Sequence, residues 1–335
     1  MKKFLALVLA LVMALSLVAC GSSSTDTNTN DNAASGDDAA TVSDNLRLVT
    51  GGESGTYYAF GSVIAQHATN NAGVNIVGLV GNGSQSNIFE MDDGNAELAF
   101  CQSDVMAYAY DGTNLFADTG AVNCFSTVAA LYTEQVQIVT LDDSIKTVAD
   151  LKGKNVSIGA AGSGVYFNAI DILGAYDLTE ADIKPTYQSF GDSADALKNG
   201  QIDAAFIVAG APTPAVTDLA TTKAVHLVSL DDEHVAKLLA SSPYYTACTI
   251  SADTYGTDGD VTTVGVGAVL LARNDVSEDA VYALVADIFD NAANLTSSHA
   301  KYGEVSLDYG ASIASVPSPP GAAKYFAEKG LTVAG

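Results

Sequence analysis

Short apolar runs alternate along the chain with segments of helical periodicity. The strand-like runs are 46–50, 74–80, 96–101, 136–140, 155–159, 202–208, 224–230 and 263–272. The helix-like segments are 56–70, 85–93, 104–111, 165–175, 192–199, 214–221, 231–241, 278–295 and 320–329. Strands that alternate with helices predict an α/β fold with largely parallel sheets.

A repeat divides this pattern into two similar halves. Ser54-Gly55 and Ser163-Gly164 each follow an apolar run and precede an aromatic-rich helix start, 109 residues apart. A second phrase, [DN]-G-x-x-acid-x-A-F, occurs at 93–100 and again at 199–206, with its glycines 106 residues apart. A glycine in this phrase suits a helix end before a buried strand. The nearly equal offsets predict two lobes that carry the same kind of loop.

The N-terminal segment has the pattern of a processing signal. Lys2 and Lys3 precede an apolar stretch that ends in Leu17-Val18-Ala19-Cys20, which resembles a bacterial lipobox. We therefore expect a signal peptide at 1–19, lipidation at Cys20 and extracytoplasmic anchoring to the cell membrane through that lipid alone. The alternative is an ordinary signal peptide with a chance cysteine. Residues 20–44 hold almost no large apolar side chain and are expected to form a disordered tether.

Charge and cysteine content narrow the function classes. Without Lys2 and Lys3 the chain has 12 basic against 39 acidic residues, a net charge of −27, which argues against nucleic-acid binding. Cys101, Cys124 and Cys248 show no metal-ligand spacing. They are expected to be buried small apolar residues, with a Cys101–Cys124 disulfide as the alternative. No metal site and no cofactor is predicted.

Polar loops follow several of the predicted strands and form the candidate binding site. A Gly/Ser loop between strand and helix presents free backbone N–H groups and a helix N-terminus, which bind an anion without Lys or Arg. Tight strand–helix turns and helix capping are the plain structural alternative. The candidate ligand-binding residues are Gly52, Glu53, Ser54, Gly55, Tyr57, Tyr58, Gly83, Ser84, Asn87, Gln102, Ser103, Asp104, Gly162, Ser163, Gly164, Tyr166, Gly210 and Pro212.

An ordered set of motifs covers most of the chain after residue 46. The motifs are T-G-G-x-S-G-x-Y-Y (50–58), G-S-x-x-N (83–87), F-x-Q-S-D (100–104), D-L-K-G-K-x-V-S-I-G-A-x-G-S-G (150–164), A-L-x-x-G-Q-I-D-A-x-F (196–206) and P-G-A-A-K-Y (320–325). The set resembles the TRAP-associated extracytoplasmic immunogenic (TAXI) proteins, which are solute-binding proteins of tripartite ATP-independent periplasmic (TRAP) transporters.

The resemblance implies a bilobal, periplasmic-binding-protein-like fold that captures a small anionic solute for a TRAP membrane permease. Glutamate, glutamine or a related dicarboxylate is the implied solute, and the protein is expected to be a monomer. We expect lobe 1 at 45–136 and 264–335, and lobe 2 at 137–263. Val136–Thr140 and Val261–Val266 are the expected crossing strands and hinge.

Two positions depart from the family pattern, and no arginine clamp is expected. Glu53 stands where a small or neutral residue is usual, and Pro319 where histidine is frequent. Glu53 would favour an amino-acid ligand if it faces the cleft, and would carry no information if it faces solvent. The only arginines, Arg47 and Arg273, lie outside the candidate loops.

Two other functions were weighed against solute capture for transport. Phe190-Gly191-Asp192-Ser193 resembles a Gly-Asp-Ser esterase block, and Asp231-x-x-His234 resembles the second block of such hydrolases. Helix capping by Ser193 and a solvated helix start at Asp231 explain the same residues, so we predict that the chain is not an enzyme. A tethered sensor that binds a solute and signals to a partner has the same sequence features as a transport protein.

Overall fold

A computed structural model describes residues 45–335, and the expected signal peptide, Cys20 and tether lie outside these residues. Its ten described strands form one sheet, in the order β2-β1-β3-β10-β4-β7-β5-β6, with β8 on β4 and β9 on β10. The strands are β1 (Asn45–Val49), β2 (Asn75–Leu79), β3 (Leu98–Gln102), β4 (Phe125–Thr140), β5 (Asn155–Ser157), β6 (Lys184–Thr186), β7 (Ala204–Ala209), β8 (His226–Leu227), β9 (Thr246–Ile250) and β10 (Val261–Arg273).

Helices cover the faces of this sheet. They are α1 (Thr56–Asn71), α2 (Ser84–Asp92), α3 (Ser103–Asp111), α4 (Val165–Ala175), α5 (Phe190–Lys198), α6 (Pro214–Ala220), α7 (Asp232–Ser241), α8 (Glu278–Asp290), α9 (Ala292–Leu295), α10 (Leu307–Gly310) and α11 (Pro320–Glu328). Short 3-10 helices lie at 114–116, 148–151, 180–182, 252–254 and 300–303. Within residues 45–335, no helix is long and apolar enough to cross a bilayer.

The sheet has a parallel group of strands at each end and two antiparallel strands between them. In the first half of the sheet, β1 pairs in parallel with β2 and β3. In the second half, β5 pairs in parallel with β6 and β7. The long strands β4 and β10 are antiparallel to each other and connect the two groups. This arrangement confirms the α/β, periplasmic-binding-protein-like fold class.

Each half has its own apolar cores. In the first half, one core holds Phe60, Leu284 and Phe326, and another holds Ile88, Val105 and Phe116. The second half also has a core on each side of its strands, with Ile172 in one and Val216 in the other. Burial of these side chains fixes the strand ends in place, because each large aliphatic or aromatic side chain removed from water contributes roughly 1.5–3 kcal/mol.

The predicted repeat is visible in the backbone. Asp93 ends α2 and Asn199 ends α5, and each is followed by a glycine in the left-handed region, Gly94 with φ of 74° and Gly200 with φ of 68°. This conformation costs glycine little and stops a helix. Both glycines therefore end a helix just before a buried parallel strand, β3 in the first half and β7 in the second.

Several elements differ from the sequence-based prediction. Strand β4 begins at Phe125, eleven residues before the predicted run at 136–140, and β6 and β9 were not predicted. The predicted helix 278–295 is divided at Asn291 into α8 and α9. Cys101, Cys124 and Cys248 are free thiols, which excludes the alternative Cys101–Cys124 disulfide in this structure, and Cys101 is buried.

Candidate functional site

A cavity of about 440 Å³ lies between the two halves of the sheet. Its lining comes from loops at the strand ends of both halves. The lining residues are Gly51, Gly52, Glu53, Ser54, Gly55, Thr56, Tyr57, Val80, Gly81, Asn82, Gly83, Ser84, Gln102, Glu134, Ala160, Ser163, Gly164, Val165, Gln188, Ser189, Phe190, Gly191, Asp192, Asp195, Val208 and Ala209. Its volume is within the range of roughly 300–1,000 Å³ that is usual for small-molecule sites.

Three helices begin at this cavity with a glycine N-cap and no side-chain cap. Gly55 precedes α1, Gly83 precedes α2 and Gly164 precedes α4. By contrast, α5 and α7 are capped by the side chains of Ser189 and Asp231. An uncapped N-terminus leaves N–H groups without intrahelical partners and carries a partial positive charge of roughly 0.5 e. The cavity therefore offers main-chain donors from both halves to a negatively charged group.

The loops of the two halves touch each other around the cavity. Ser86 donates its N–H to the carbonyl of Gly162 at 2.9 Å, and Ala215 donates to the carbonyl of Ser54 at 3.1 Å. The hydroxyl of Thr56 donates to the carbonyl of Gly210 at 2.7 Å. A Cβ on Gly164 would lie 1.3 Å from Oε1 of Gln102, so only glycine fits there. These contacts enclose the cavity between the halves.

Among residues 45–335, the side chains that line this cavity include carboxyl groups and no basic group. Glu53, Asp192 and Asp195 are exposed, whereas Glu134 on β4 is buried, with 2% exposure. The hydroxyl of Tyr57 donates to Oε2 of Glu134 at 2.8 Å. Burial is the main cause that raises the pKa of Glu134 well above its usual range. Tyr57 also stacks on Phe100, with ring centroids 4.9 Å apart.

The structure brings ten of the eighteen predicted site residues to the cavity. The ten residues at the cavity are Gly52, Glu53, Ser54, Gly55, Tyr57, Gly83, Ser84, Gln102, Ser163 and Gly164. The hydroxyl of Ser84 accepts from the N–H of Gln102 at 3.0 Å. The buried Oγ of Ser163 has no partner among the described residues. Glu53 lines the cavity, which is the condition that favours an amino-acid ligand.

The other eight predicted residues lie outside the cavity lining. They are Tyr58, Asn87, Ser103, Asp104, Gly162, Tyr166, Gly210 and Pro212. Several have evident structural contacts: the Asn87 amide donates to the carbonyls of Thr50 and Phe100 at 2.6 and 2.9 Å. The hydroxyl of Ser103 accepts from the N–H of Gly267 at 3.0 Å. The hydroxyl of Tyr166 donates to Glu180 at 2.8 Å.

Sequence reasoning missed Glu134 and the segment 188–195. Glu134 lies in the part of β4 that was not predicted as a strand. From the sequence, Phe190 and Asp192 are interpreted only as part of an esterase-like block or of a helix start, and Ser189 is not singled out, although the position of this helix in the second half matches that of α2 in the first. The duplication is the signal that could have found them, because the equivalent loop before α2 is part of the predicted site.

The residues of the esterase alternative do not assemble. Ser193 is buried and its hydroxyl lies 2.8 Å from that of Ser157. Nδ1 of His234 lies 2.7 Å from Asp231, and the imidazole stacks on Tyr176 with ring centroids 3.5 Å apart. Ser193 and His234 thus have separate partners, and nucleophilic catalysis requires the serine hydroxyl within hydrogen-bond reach of the base.

Both arginines are engaged away from the cavity. Nη2 of Arg47 donates to Oε1 of Glu97 at 2.5 Å, and Nη2 of Arg273 donates to the same oxygen at 3.2 Å. Hydrogen bonding from Arg47 is the largest cause that lowers the pKa of Glu97 to about 2. Neither arginine lines the cavity.

The topology and the enclosed cavity define a periplasmic-binding-protein-like α/β protein. The model of the NMT1-like family matches residues 48–330, and the chain belongs to this family.

Among solved structures, the chain is similar to a protein of Bordetella bronchiseptica RB50, with 17% identity, a TM-score of 0.52, and coverage of 79% of this chain and 76% of that one. It is also similar to the alkanesulfonate-binding protein SsuA from Xanthomonas axonopodis pv. citri bound to MOPS. The identity is 16% and the TM-score 0.46, and the match covers 84% of this chain and 83% of that one. A third similar structure is that of a putative L-cystine ABC transporter from Listeria monocytogenes. It has 15% identity and a TM-score of 0.49, and the match covers 79% of this chain and 98% of that one. At these identities the likeness concerns the fold alone.

Proposed function

We propose that the chain is an extracytoplasmic, lipid-anchored solute-binding protein that delivers a small carboxylate-bearing solute to a TRAP-type permease. Glutamate, glutamine or a related dicarboxylate is the solute that the TAXI resemblance implies. The observation that carries this proposal is the convergence of three uncapped, glycine-started helices, α1, α2 and α4, on one cavity. A carboxylate placed there would accept hydrogen bonds from main-chain N–H groups of both halves.

The exposed acidic side chains favour an amino acid over a plain dicarboxylate. Glu53, Asp192 and Asp195 line the cavity together with the helix N-termini. An α-amino acid carries a carboxylate and an ammonium group, and these two groups match the two kinds of lining. A plain dicarboxylate lacks the ammonium group that these carboxylates would attract.

Capture involves movement of two lobes in this proposal. Lobe 1 is 45–136 with 264–335, and lobe 2 is 137–263. The proposed hinge is Val136–Thr140 with Val261–Val266. In support of it, β4 pairs with β10 as far as Gln135 and with β7 from Gln135 onward, so β4 changes partner beside Val136. The contacts around the cavity are those of a closed form, which the solute stabilises and the permease recognises.

A thermal-shift screen tests the proposal directly. The full chain is heated with L-glutamate, L-glutamine, 2-oxoglutarate, succinate or L-arginine. A ligand that binds only the folded state raises the melting temperature. We expect the largest increase with L-glutamate or L-glutamine and less with the two plain dicarboxylates, whereas an increase with L-arginine alone would indicate a cationic amino acid as the solute. An increase with none of the acids at millimolar concentration contradicts the proposal.

Two pairs of variants locate the binding surface. Ser163→Ala and Tyr57→Phe remove a hydroxyl at the cavity, and each is expected to weaken L-glutamate binding by about 1–3 kcal/mol in calorimetry. Tyr58→Phe and Ser297→Ala are the matched controls, because the cavity lining includes neither residue. Equal effects of Tyr57→Phe and Tyr58→Phe would show that the solute binds elsewhere.

The transporter class has its own test. Uptake of labelled solute is measured in the native cells with and without this chain, and with and without collapse of the ion gradients. A TRAP-type partner requires the gradients. Uptake that continues without ion gradients but stops when ATP is depleted would assign the chain to another transporter class and leave solute binding intact.

A further inference from the structure

Glu134 is a buried carboxyl in the cavity wall that neither the repeat nor the family motifs single out. It lies in the middle of β4, is 2% exposed and lines the cavity. Burying a carboxyl is costly unless it is paired, hydrogen-bonded or neutral. The Glu134 carboxyl therefore needs a hydrogen-bond partner, either in the protein or in a bound solute.

The protein supplies that carboxyl with a single donor among the described residues. Tyr57 donates its hydroxyl to Oε2 at 2.8 Å, and no described group donates to Oε1. Lys301 is the nearby cation, but its Nζ is bonded to Oε1 of Glu304 at 2.5 Å, and the described ion pairs do not include Glu134. One oxygen of a carboxyl in the cavity lining is thus left for the solute.

The surroundings of Glu134 favour its neutral form. Burial is the first cause of its raised pKa, and the charge of Asp104 raises it further, while the Tyr57 hydrogen bond and the charge of Lys301 lower it. The titratable groups that interact with it are Tyr57 on α1, Cys101 on β3, Asp104 on α3, Tyr132 on β4, Lys301 in the 300–303 turn and Tyr309 on α10. A neutral carboxyl is a hydrogen-bond donor as well as an acceptor.

We propose that Glu134 contacts the solute as a neutral carboxylic acid, whose Oε2 accepts from Tyr57 while the proton on Oε1 is donated to a carboxylate of the solute. The inference rests on the proposed function, because it requires a carboxylate in the cavity. It explains how a cavity whose described lining has four acidic residues and no basic one holds an anion. It also makes binding depend on pH, since deprotonation of Glu134 would replace a donor by a like charge.

The test combines a titration of the free protein with binding measurements. The ionisation of Glu134 is followed by carboxyl-carbon NMR, with Glu134→Gln used to assign the signal. L-Glutamate affinity is then measured by calorimetry between about pH 5 and about pH 8.5. We expect a constant affinity below the measured pKa of Glu134 and a tenfold loss for each pH unit above it, because the proton is required in the complex.

Two variants separate this role from a structural one. Glu134→Gln keeps a donor at the same place, so it is expected to bind L-glutamate within about threefold of the wild type at low pH and to show no loss at higher pH. Tyr57→Phe removes the hydrogen bond that lowers the pKa of Glu134. In this variant the loss of L-glutamate affinity is therefore expected to begin at a higher pH than in the wild type. Glu233→Gln, an exposed change on α7, is the control and leaves the profile of the wild type.

Three results would overturn the role of Glu134. One is an ordinary glutamate pKa in the free protein, and another is an affinity that increases with pH. The third is a folded Glu134→Gln variant that has lost binding at every pH, which would indicate an ionised Glu134 paired with the ammonium group. Failure of every tested acid to bind at any pH refutes the proposed function instead. If Glu134→Gln does not fold, the pH dependence of L-glutamate affinity in the wild type and in Tyr57→Phe still tests the role of Glu134.

Discussion

The side-chain amide of Gln102 donates a 2.6 Å hydrogen bond to Oδ1 of Asn168, and thereby joins the end of β3 to α4 across the two halves of the protein. Both residues are buried. Asn168 in turn donates to Asp104 at 2.9 Å and is bonded to the hydroxyl of Tyr245 at 2.9 Å. Four buried side chains from both halves therefore form one hydrogen-bonded cluster beside the cavity.

Replacing Asn168 with alanine is expected to destabilise the protein substantially. The change removes three side-chain hydrogen bonds and leaves the buried polar groups of Gln102 and Asp104 without their partner. We expect a loss of about 3 kcal/mol in the free energy of unfolding, measured by urea denaturation. Asn294→Ala, an exposed change on α9, is the control and should cost less than about 0.5 kcal/mol. Equal losses in the two variants would contradict a structural role for the cluster.

Replacing Gly164 with alanine is expected to prevent closure of the cavity. The added Cβ would lie 1.3 Å from Oε1 of Gln102. Because Gly164 has a φ of −69°, alanine is not strained in the backbone, and only the contact between the halves is affected. We expect at least a tenfold weaker binding of L-glutamate and, in small-angle scattering, no compaction on adding it.

The control for this closure experiment is Gly52→Ala. Gly52 also lines the cavity, but a Cβ there would meet no atom within 4 Å. The affinity of the Gly52→Ala variant for L-glutamate should therefore stay within about threefold of the wild type, since no neighbouring atom has to move to accommodate the added methyl group. Compaction of the Gly164→Ala variant to the size of the wild type would show that the contact between Gly164 and Gln102 does not limit closure.

Asp104 is expected to make the protein less stable as the pH rises from about 4 to about 6. Burial is the main cause that raises its pKa from 3.8 to about 6. In this range the folded state holds a proton that the unfolded state has lost, so the free energy of unfolding falls with pH and then levels off above about 6. The contribution is about 3 kcal/mol over the range.

The variant Asp104→Asn isolates this contribution from those of other carboxyl groups. The quantity to compare is the difference in unfolding free energy between wild type and variant at several pH values. Between about pH 4 and about pH 7, the unfolding free energy of the wild type should fall by about 3 kcal/mol relative to that of the variant. A difference that stays constant with pH would mean that Asp104 titrates normally in the folded protein.

Glu97 is expected to have the opposite pH dependence. Its pKa is lowered to about 2, first by the hydrogen bond from Arg47, so its stabilising contribution is present above about pH 4.5 and is lost as the pH falls towards 2. Glu97→Gln should cost about 1–2 kcal/mol at pH 7, a value reduced for the partial exposure of Arg47. The cost should vanish near pH 2. Glu233→Gln serves again as the exposed control, and a cost that persists at low pH would point to packing instead.

The sequence predicted the fold well where burial is complete. Strand β7 is apolar throughout and β3 is apolar up to Gln102, while α1 and α4, which follow β1 and β5, show clear helical periodicity, so both halves could be recognised. The first part of β4 was missed because Thr133, Glu134 and Gln135 interrupt its apolar pattern, and these polar residues lie where the strand passes the cavity and the neighbouring half. Strand β9 was missed because three of its five residues are exposed and only Ile250 is buried, so the strand lacks a buried apolar run.

The candidate site could be predicted only in part, for a geometric reason. Gly55 and Gly164 were found because a glycine before a helix shows in the sequence. Asn87 and Ser103 lie in the helices that follow β2 and β3, but their side chains turn inward to bond the main chain of neighbouring segments. Which side of a loop faces the cavity depends on how the two halves meet, and no local pattern contains that information.

The acidic lining of the cavity has a consequence for the speed of capture. An approaching anion meets the exposed carboxylates of Glu53, Asp192 and Asp195 on a chain with a formal net charge of −25, so its encounter is slowed by long-range repulsion. Salt screens that repulsion over distances of roughly 10 Å, whereas hydrogen bonds from helix N-termini inside a closed cavity are screened far less. Added salt should therefore accelerate association and leave the residence time of the solute almost unchanged.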